Sequence, residues 1–415
     1  MTPTPRAAYV LLAVALLALA VPAAVSIGLV LALVIATAVD GVMARRRVRV
    51  RRTVPRTLVR GVPVRLFVET DARAGTVELR QAQPADVAIE PSAGRDALDA
   101  SLVAHRRGEV VLAPVAARRR GPLGLGRCTF NGEGTAPLLV YPDVVAAQRV
   151  VVALRRGQFR DPGLRARGPL GLGTDFESIR DYQPDDDVRQ INWTATDRTG
   201  RPMSNVYRIE QDRDVICLLD AGRLMTAPLD ARTTRLDAAV DAVTMVALVA
   251  DELGDRCGVT VFDAALRARL APRRNGGRVV VRTILETEPS AVDSDYDLAF
   301  RTVSGGKRSL ICVFTDLVDE AAARSLVDAV PVLARRHAVI VASVRDPDLD
   351  AALRRQPSST ADVYGSAVAI DVLEERQRVA NRLEHAGARV VEAPPGALGE
   401  SCVRAYLQLK ARARL

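Results

Sequence analysis

Hydrophobic residues dominate the start of the chain, where positions 7–39 form one nearly unbroken apolar run. A single helix of that length would measure roughly 50 Å, which exceeds the membrane hydrocarbon core of about 30 Å. Pro22 interrupts the run near its middle and predicts a transmembrane hairpin of two short helices, each at or below the usual spanning length. The alternatives are one tilted helix and a signal peptide, and the length and basic exit of the run disfavour the signal peptide.

Positive charge flanks this apolar run on both sides. Arg6 precedes it, and six arginines follow it closely: Arg45, Arg46, Arg47, Arg49, Arg51 and Arg52. This distribution predicts that both ends face the cytoplasm, with the arginines near anionic lipid headgroups. The sequence therefore predicts a membrane anchor over residues 1–44, in the inner or plasma membrane, with the bulk of the chain in the cytoplasm.

Apolar and polar residues alternate with a period of two in the next hundred positions. Short runs such as 62–70, 86–90 and 137–141 are separated by Gly, Pro and Asp. The pattern predicts a small antiparallel sheet or sandwich over residues 45–145. The Gly-rich run 121–126 lacks the Lys-Ser/Thr of a phosphate loop, so we interpret it as a turn.

The last part of the chain alternates strands with helices. Apolar strands are predicted at positions 215–220, 258–263, 309–316, 338–344 and 388–393. Helical spacing occurs between them, at positions 235–253, 277–286, 320–336 and 373–385. This order predicts an α/β domain over residues 211–415 with a doubly wound parallel sheet. Such sheets bind ligands beyond the carboxyl ends of their strands, which places Asp220, Asp263 and Asp316 at the functional edge.

Charges of alternating sign fill the intervening segment, residues 146–210. They include Arg180, Asp181, Asp185, Asp186, Asp187, Arg189, Asp197, Arg198 and Arg201. The alternation predicts an internal network of ion pairs and hydrogen bonds. Apolar residues in the same segment are spaced to anchor it on an apolar surface: Phe176, Ile179, Tyr182, Ile191 and Trp193. The Trp ring is expected to contribute most of the buried area.

One motif in this segment carries a family resemblance. Phe176-Glu177-x-x-Arg180-x-Tyr182-x-Pro184-x-Asp186-x-x-Arg189-x-Ile191-x-Trp193, followed by Arg198-Thr199-Gly200, resembles the signature of the bacterial domain-of-unknown-function family 58. The runs 106–108, 121–125 and 140–142 are similar to further landmarks of that family, so the resemblance covers most of the chain. It implies a membrane-anchored protein encoded near MoxR-type AAA+ ATPases.

The α/β half is similar to a von Willebrand factor type A domain, the unit that follows the signature in that family. The resemblance implies a comparison with its metal-binding members, which hold Mg²⁺ through the oxygens of Asp-x-Ser-x-Ser, a Thr and a later Asp. Here Gly222 and Leu224 occupy the serine positions after Asp220, and Asp316 matches the later acid. We therefore predict no cofactor, with Asp220 and Asp316 as the remaining candidates for Mg²⁺. Alternatively, Asp220 caps a loop, or pairs with Arg223 or with an arginine of the signature.

Composition narrows the choice of function. The formal net charge is +9, but six arginines at the membrane edge account for much of it and aromatic residues are only 4%, so no nucleic-acid partner is predicted. The five cysteines form no C-x-x-C pair, and they are interpreted as small buried hydrophobic residues in a reducing compartment. The three histidines show no metal-ligand spacing.

The predicted function is a non-enzymatic, membrane-anchored protein-interaction module. By the resemblance, it is an adaptor or chaperone-complex partner of a MoxR-type AAA+ ATPase acting on an unknown client protein. The residues expected to matter are Arg180, Tyr182, Asp186, Arg189 and Trp193 of the signature, and Asp220 and Asp316 of the sheet edge. The alternative is a metal-dependent hydrolase or binding enzyme that uses Asp186, Asp220 and Asp316.

Overall fold

The computed structural model describes residues 2–17, 19, 21–46, 48–71, 77–132, 134–156, 175–183, 186, 188–208, 212–305, 307–317 and 320–411. They form two compact units, Met1–Tyr141 and Pro142–Leu415. Both helices and several separate β-sheets are present, so the chain is of mixed α/β class.

The apolar run forms two helices that pack against each other, α1 (Pro5–Leu17) and α2 (Ala23–Met43). The break falls at Pro22, which immediately precedes α2. With 21 residues and a mean hydropathy of 2.3, α2 is the one helix in the described ranges that is long and apolar enough to cross a membrane. α2 is longer than the part of the apolar run that follows Pro22, because this helix continues past the run to Met43.

The remainder of the first unit is β structure. Its strands are β1 (Thr2–Pro3), β2 (Val50–Thr53), β3 (Thr57–Val59), β4 (Val64–Thr70), β5 (Val77–Arg80), β6 (Val87–Glu90), β7 (Ala93–Arg95), β8 (Ala97–Ala104), β9 (Gly108–Leu112), β10 (Ala116–Arg120), β11 (Gly126–Asn131) and β12 (Ala136–Tyr141). One sheet has the order β1-β11-β10-β5-β7-β8-β4-β2, with β6 paired to β8, and a second has the order β3-β12-β9. Alternate side chains of both sheets enter one hydrophobic core.

The Gly-rich turn wraps around the carboxylate of Asp40 near the end of α2. The backbone N–H groups of Leu123, Leu125 and Gly126 donate hydrogen bonds to this carboxylate at 2.7, 2.7 and 2.8 Å. Asp40 is fully buried, so these donors replace the water that the carboxylate loses. A Cβ atom at Gly121 would overlap the carboxylate, which explains the glycine at that position. The interpretation as a turn is correct, and the turn also fastens α2 to the β structure.

The second unit follows with helices and strands in alternation. Its helices are α3 (Val144–Arg155), α4 (Trp193–Thr199), α5 (Arg235–Glu252), α6 (Gly277–Ile284), α7 (Tyr296–Arg301), α8 (Glu320–Ala334), α9 (Pro347–Arg354), α10 (Thr360–His385) and α11 (Leu398–Ala411). Its strands are β13 (Asp175–Asp181), β14 (Met203–Arg208), β15 (Asp214–Asp220), β16 (Arg256–Phe262), β17 (Leu266–Arg273), β18 (Ser309–Phe314), β19 (Ala338–Val344) and β20 (Arg389–Ala393).

A six-stranded sheet in the order β17-β16-β15-β18-β19-β20 organises this unit. Neighbouring strands run parallel, except that β17 pairs antiparallel with β16. Helices α5, α6 and α11 pack on one face of the sheet, and α7, α8 and α10 pack on the other. Both faces of the central strands are covered, which explains why these strands are apolar throughout. β13 and β14 form a separate antiparallel pair.

Four of the five cysteines lie in the core of the second unit. Cys217, Cys257, Cys312 and Cys402 are fully buried, whereas Cys128 in β11 is partly exposed. Burial raises the pKa of Cys312 well above its ordinary value and raises the pKa of Cys402 to about 12. These thiols therefore stay protonated and behave as small apolar side chains, as the sequence predicts for buried cysteines.

Replacing Gly121 with alanine tests the turn around Asp40. Overlap of the new methyl group with the carboxylate should destabilise the first unit by about 1–3 kcal/mol. Scanning calorimetry of the full-length protein in detergent should record this as a lowered transition temperature. Gly134→Ala is the matched control, since a Cβ there meets no atom within 4 Å. Equal transition temperatures for the two variants would contradict the proposed fit.

Candidate functional site

The carboxyl ends of the parallel strands place three acids at one edge of the six-stranded sheet. Asp220 is the last residue of β15, Asp263 follows β16, and Asp316 lies two residues after β18. All three are buried. Each carboxylate has its own set of hydrogen-bond or ion-pair partners, which determine what this edge can do chemically.

Hydroxyl groups surround the carboxylate of Asp220. One of its oxygens accepts hydrogen bonds from the Gly222 N–H at 2.8 Å and from the Ser294 hydroxyl. The other lies 2.9 Å from the Tyr296 hydroxyl and 2.6 Å from the Thr315 hydroxyl, and those two hydroxyls are 2.8 Å apart. Two hydroxyl protons are therefore shared among three oxygens. The prediction that Asp220 caps a loop agrees with the bond from Gly222.

Ser294 takes the place of a side chain at position 222. A Cβ atom at Gly222 would overlap the Ser294 hydroxyl oxygen. Gly222 occupies a position where the type A domains discussed above have a serine. Here a serine hydroxyl reaches Asp220 from the loop that precedes α7 instead. Arg223, the other predicted partner of Asp220, instead pairs with exposed Asp293 at 2.9 Å.

Tyr296 is the largest side chain in contact with this carboxylate. It is buried, and its ring meets the Phe262 ring edge-on with centroids 5.6 Å apart. Burial, followed by the charge of Asp220, raises the pKa of Tyr296 well above its ordinary value. The phenol therefore remains a neutral hydrogen-bond donor to Asp220 throughout the physiological pH range.

Arginines surround the second acid, Asp316. Arg376 of α10 donates to one of its oxygens at 2.9 Å, and Arg235 of α5 forms an ion pair with the other. Each arginine has a further acid: Arg235 lies 3.0 Å from Asp346, and Arg376 lies 3.0 Å from Glu392. Since the two guanidinium groups reach the sheet edge from opposite faces, this network ties α5 and α10 to the end of β18.

The third acid, Asp263, holds the adjoining loops. Its carboxylate accepts hydrogen bonds from the Ala265 N–H at 3.0 Å and the Ser290 hydroxyl at 2.8 Å, and it pairs with Arg267. Burial acts to raise the pKa of Asp263, but these donors outweigh it and hold the pKa below the ordinary value. Asp263 therefore stays ionised and structural at neutral pH.

These residues do not fit a divalent-metal site. Both oxygens of Asp220 are bound by internal donors, and two guanidinium groups at Asp316 would repel a cation. Within the described part of the chain, no group of three or more His, Cys, Asp or Glu side chains is placed to hold a metal ion. Hydrogen bonds and ion pairs thus hold Asp220 and Asp316 in place at this edge.

A further buried acid lies at the opposite end of the strands. Asp255, directly before β16, is in contact with the Tyr406 hydroxyl and the Lys410 ammonium group of α11. It also accepts a hydrogen bond from the Arg213 N–H at 3.1 Å. Sequence reasoning missed this cluster, because its members are separated by about 150 positions and show no local pattern.

The signature segment forms part of the predicted network. Arg180 in β13 donates to the Asp186 carboxylate at 2.6 Å, and the Tyr182 hydroxyl donates to the Asp186 carbonyl at 3.1 Å. Asp186 also accepts a hydrogen bond from the Gln183 N–H at 2.9 Å. The structure therefore brings Arg180, Tyr182 and Asp186 together as a local cluster that closes the turn after β13.

Trp193 contradicts the anchoring prediction. It is the first residue of α4, which Asn192 caps by accepting from the Ala195 N–H at 2.9 Å. The Trp side chain is 69% exposed, and Val188 and Ile179 of the same segment are 63% and 39% exposed. The ring therefore does not anchor the segment to the fold, because α4 directs it into solvent.

Some predicted residues lie outside the described part of the chain. They are Pro184, Asp185, Asp187 and the connecting residues 157–174. Arg189 lies in a short 3-10 turn, Val188–Gln190, and Phe176 lies in β13, but the side chains of these two residues also fall outside it. The roles predicted for Arg189, Asp185 and Asp187 therefore stay predictions.

Tyr296→Phe tests the hydroxyl cluster. Loss of a hydrogen bond to the buried carboxylate should lower the stability of the second unit by about 1.5–3 kcal/mol. Calorimetry of the full-length protein should show a fall of roughly 3–12 °C in the transition of that unit. Tyr364→Phe is the control, since the Tyr364 side chain is 70% exposed. If both variants had the same transition temperature as the wild type, the role assigned to the Tyr296 hydroxyl would be wrong.

Comparisons with known proteins agree with the resemblance of the signature. The chain is 27% identical over 246 residues to the uncharacterized proteins Mb1516 of Mycobacterium bovis and Rv1480 of Mycobacterium tuberculosis, covering 52% of this chain and 73% of each relative.

A crystal structure of an uncharacterized membrane-spanning protein from Vibrio fischeri is similar at 13% identity, covering 49% of this chain and 99% of that chain. Its TM-score of 0.19 is too low to support an argument about fold. The family described as protein of unknown function DUF58 matches residues 178–386, from β13 to the end of α10. Since that match covers half of the sequence, the protein belongs to the DUF58 family.

Proposed function

We propose that this protein is a membrane-anchored module that binds another protein. The observation that carries the proposal is the exposure of Trp193 in the family segment, at 69% of the side chain. Tryptophan is over-represented among residues that dominate binding at protein interfaces, and leaving its apolar ring in water is unfavourable. The Arg180–Asp186 ion pair, at 2.6 Å, lies in the same family segment.

The sheet edge supports binding over catalysis. A general acid or base must reach its substrate, and a metal-dependent enzyme needs carboxylate oxygens free to coordinate the ion. Asp220 and Asp316 are buried and already bound by hydroxyl groups and by guanidinium groups. In the proposed function, these acids keep the sheet edge rigid and take no direct part in binding.

The membrane assignment follows from α2 and the charges after it. A predominantly apolar helix of 21 residues spans about 30 Å, and arginines such as Arg45 and Arg46 follow it directly. Positive charge next to a spanning helix favours the cytoplasmic side. In this proposal the module is anchored in the inner or plasma membrane by its N-terminal helices, and the rest of the chain is in the cytoplasm.

The proposed partner comes from the family resemblance. We assign it as a MoxR-type AAA+ ATPase, with this protein as its adaptor toward an unknown client, and the second unit as a von Willebrand factor type A-like domain. The parallel sheet with helices on both faces supports that domain type.

Trp193→Ser tests this proposal. The protein would be purified with its partners from gently solubilised native membranes, in several nucleotide states. Loss of a binding residue of this kind should reduce the recovered AAA+ ATPase at least about tenfold. Val332→Ser is the control, because it removes another apolar side chain that is 63% exposed, on α8. If no ATPase is recovered with the wild-type protein, the proposed partner is wrong. If Trp193→Ser recovers as much ATPase as the wild type, the proposed binding surface at Trp193 is wrong.

Titration with Mg²⁺ or Mn²⁺ tests the metal-dependent alternative. Because Asp220 and Asp316 have internal partners, calorimetric titration of the full-length protein should give no binding heat and no rise in transition temperature. The control is Asp220→Ala, which removes the candidate ligand. Saturable binding to wild type that disappears in this variant would restore the metal hypothesis.

A further inference from the structure

The first turns of α10 carry a second exposed apolar surface. Tyr364, Val368, Val363 and Ile370 are 70%, 60%, 55% and 46% exposed. Most buried residues of α10 lie in its C-terminal half: Arg376, Val379, Ala380 and Leu383, with Ala369 before them. Half of this 26-residue helix packs on the sheet, and the other half presents large apolar side chains to solvent.

This exposed half is well built as a helix. Ser359 and Asp362 form a reciprocal capping box at its N-terminus. Hydrogen bonds from Ser358, followed by those from Ser359, lower the pKa of Asp362 to about 2. An ionised acid at a helix N-terminus is favourable, so the first turn is held at neutral pH. The apolar surface therefore stands on a helix whose first turn is capped.

The exposed side chains lie along one side of α10. Val363, Ala367 and Ile370 follow the i, i+4, i+7 spacing, and Tyr364 and Val368 form a parallel row at i, i+4. Ser366 lies on the other side, where its hydroxyl donates to the Ala352 carbonyl of α9 at 3.2 Å. The contact with α9 thus leaves the apolar row, which we call the α10 stripe, facing away from it.

Negative charge borders the α10 stripe. Residues 360–375 of α10 contain four acids and no Lys or Arg, a net charge of −4 in a chain of net charge +9. Arg378, which follows them, forms an ion pair with Glu375 at 3.0 Å. By helical spacing, Asp371 and Glu374 continue the side of the helix that carries the stripe. An anionic lipid surface would repel this border, and a second copy would bring the same charges against it. Charge complementarity favours a partner with positive charge at its rim.

We propose that the α10 stripe binds an apolar groove bordered by Lys or Arg on a protein partner, in the helix-in-groove mode. The inference rests on the proposed function in taking the ligand to be a protein, and it adds a binding surface that the signature segment does not include. Tyr364 and Val368 are its central contacts, and Asp371 and Glu374 pair with the basic rim.

Site-specific photo-cross-linking in native membranes tests this surface. The full-length protein would carry p-benzoylphenylalanine at Val368 or, as the control, at Glu400, an exposed polar position on α11, which packs on the other face of the sheet. We expect a protein adduct at position 368 at least about tenfold stronger than at 400, with its attachment point among apolar residues flanked by Lys or Arg. Replacing Asp371 and Glu374 together with Lys should weaken this adduct by about tenfold.

Several outcomes would overturn the proposal: equal adducts at both positions, an adduct with lipid or with a second copy, insensitivity to the charge reversal, or no adduct at all. The transition temperature of Val368→Asp checks independently that Val368 is not needed for folding. It should equal that of the wild type, because this side chain is exposed. If the ATPase is recovered in a Trp193-dependent manner while position 368 gives no adduct, only the α10 stripe is excluded. If position 368 gives the expected adduct while Trp193→Ser has no effect, only the signature surface is excluded.

Discussion

A carboxylate removed from water must be compensated by donors or cations, and several buried aspartates impose this constraint on the two units. Asp40 is held by backbone N–H groups, Asp220 mainly by hydroxyls, Asp316 by arginines, and Asp255 by a lysine and a tyrosine. Each solution requires segments distant in sequence to meet at one point. The glycines of the turn, the loop before α7, and helices α5, α10 and α11 all have positions fixed by this requirement.

The same constraint makes the buried acids unavailable to react with another molecule. An acid that is fully bound inside the fold contributes rigidity, so the groups that remain available to another molecule are the exposed apolar ones. Trp193 on the short helix α4 and Tyr364 in the first turns of α10 stand near capped helix N-termini, and their backbone freedom is limited before binding. Binding by such residues loses less entropy on association than binding by a flexible loop would. This division between an internally satisfied edge and exposed aromatic residues is what favours an interaction module.

Much of the second unit was predictable from the sequence, because its strands are buried on both faces and are therefore apolar without interruption. The apolar pattern also predicts that strands end at Asp220 and Asp316. The donors did not: Ser294 approaches Asp220 from 74 positions away, and no local spacing identifies it. The strand β17 was missed because it alternates arginine with apolar residues at the sheet edge. Trp193 was assigned to the interior because ring size alone indicates burial, whereas the capping by Asn192 sets its direction.

The buried cysteines can report on opening of the fold through their reaction with alkylating reagents. Alkylating reagents attack the thiolate, so Cys217, Cys257, Cys312 and Cys402 are protected by burial for as long as the six-stranded sheet stays closed. Cys128 belongs to the other unit and is partly exposed, so its rate of alkylation is independent of opening of the six-stranded sheet. A time course of mass gain on the intact chain would therefore record the opening of the α/β core separately from the accessibility of the β unit, within one molecule and without a mutation.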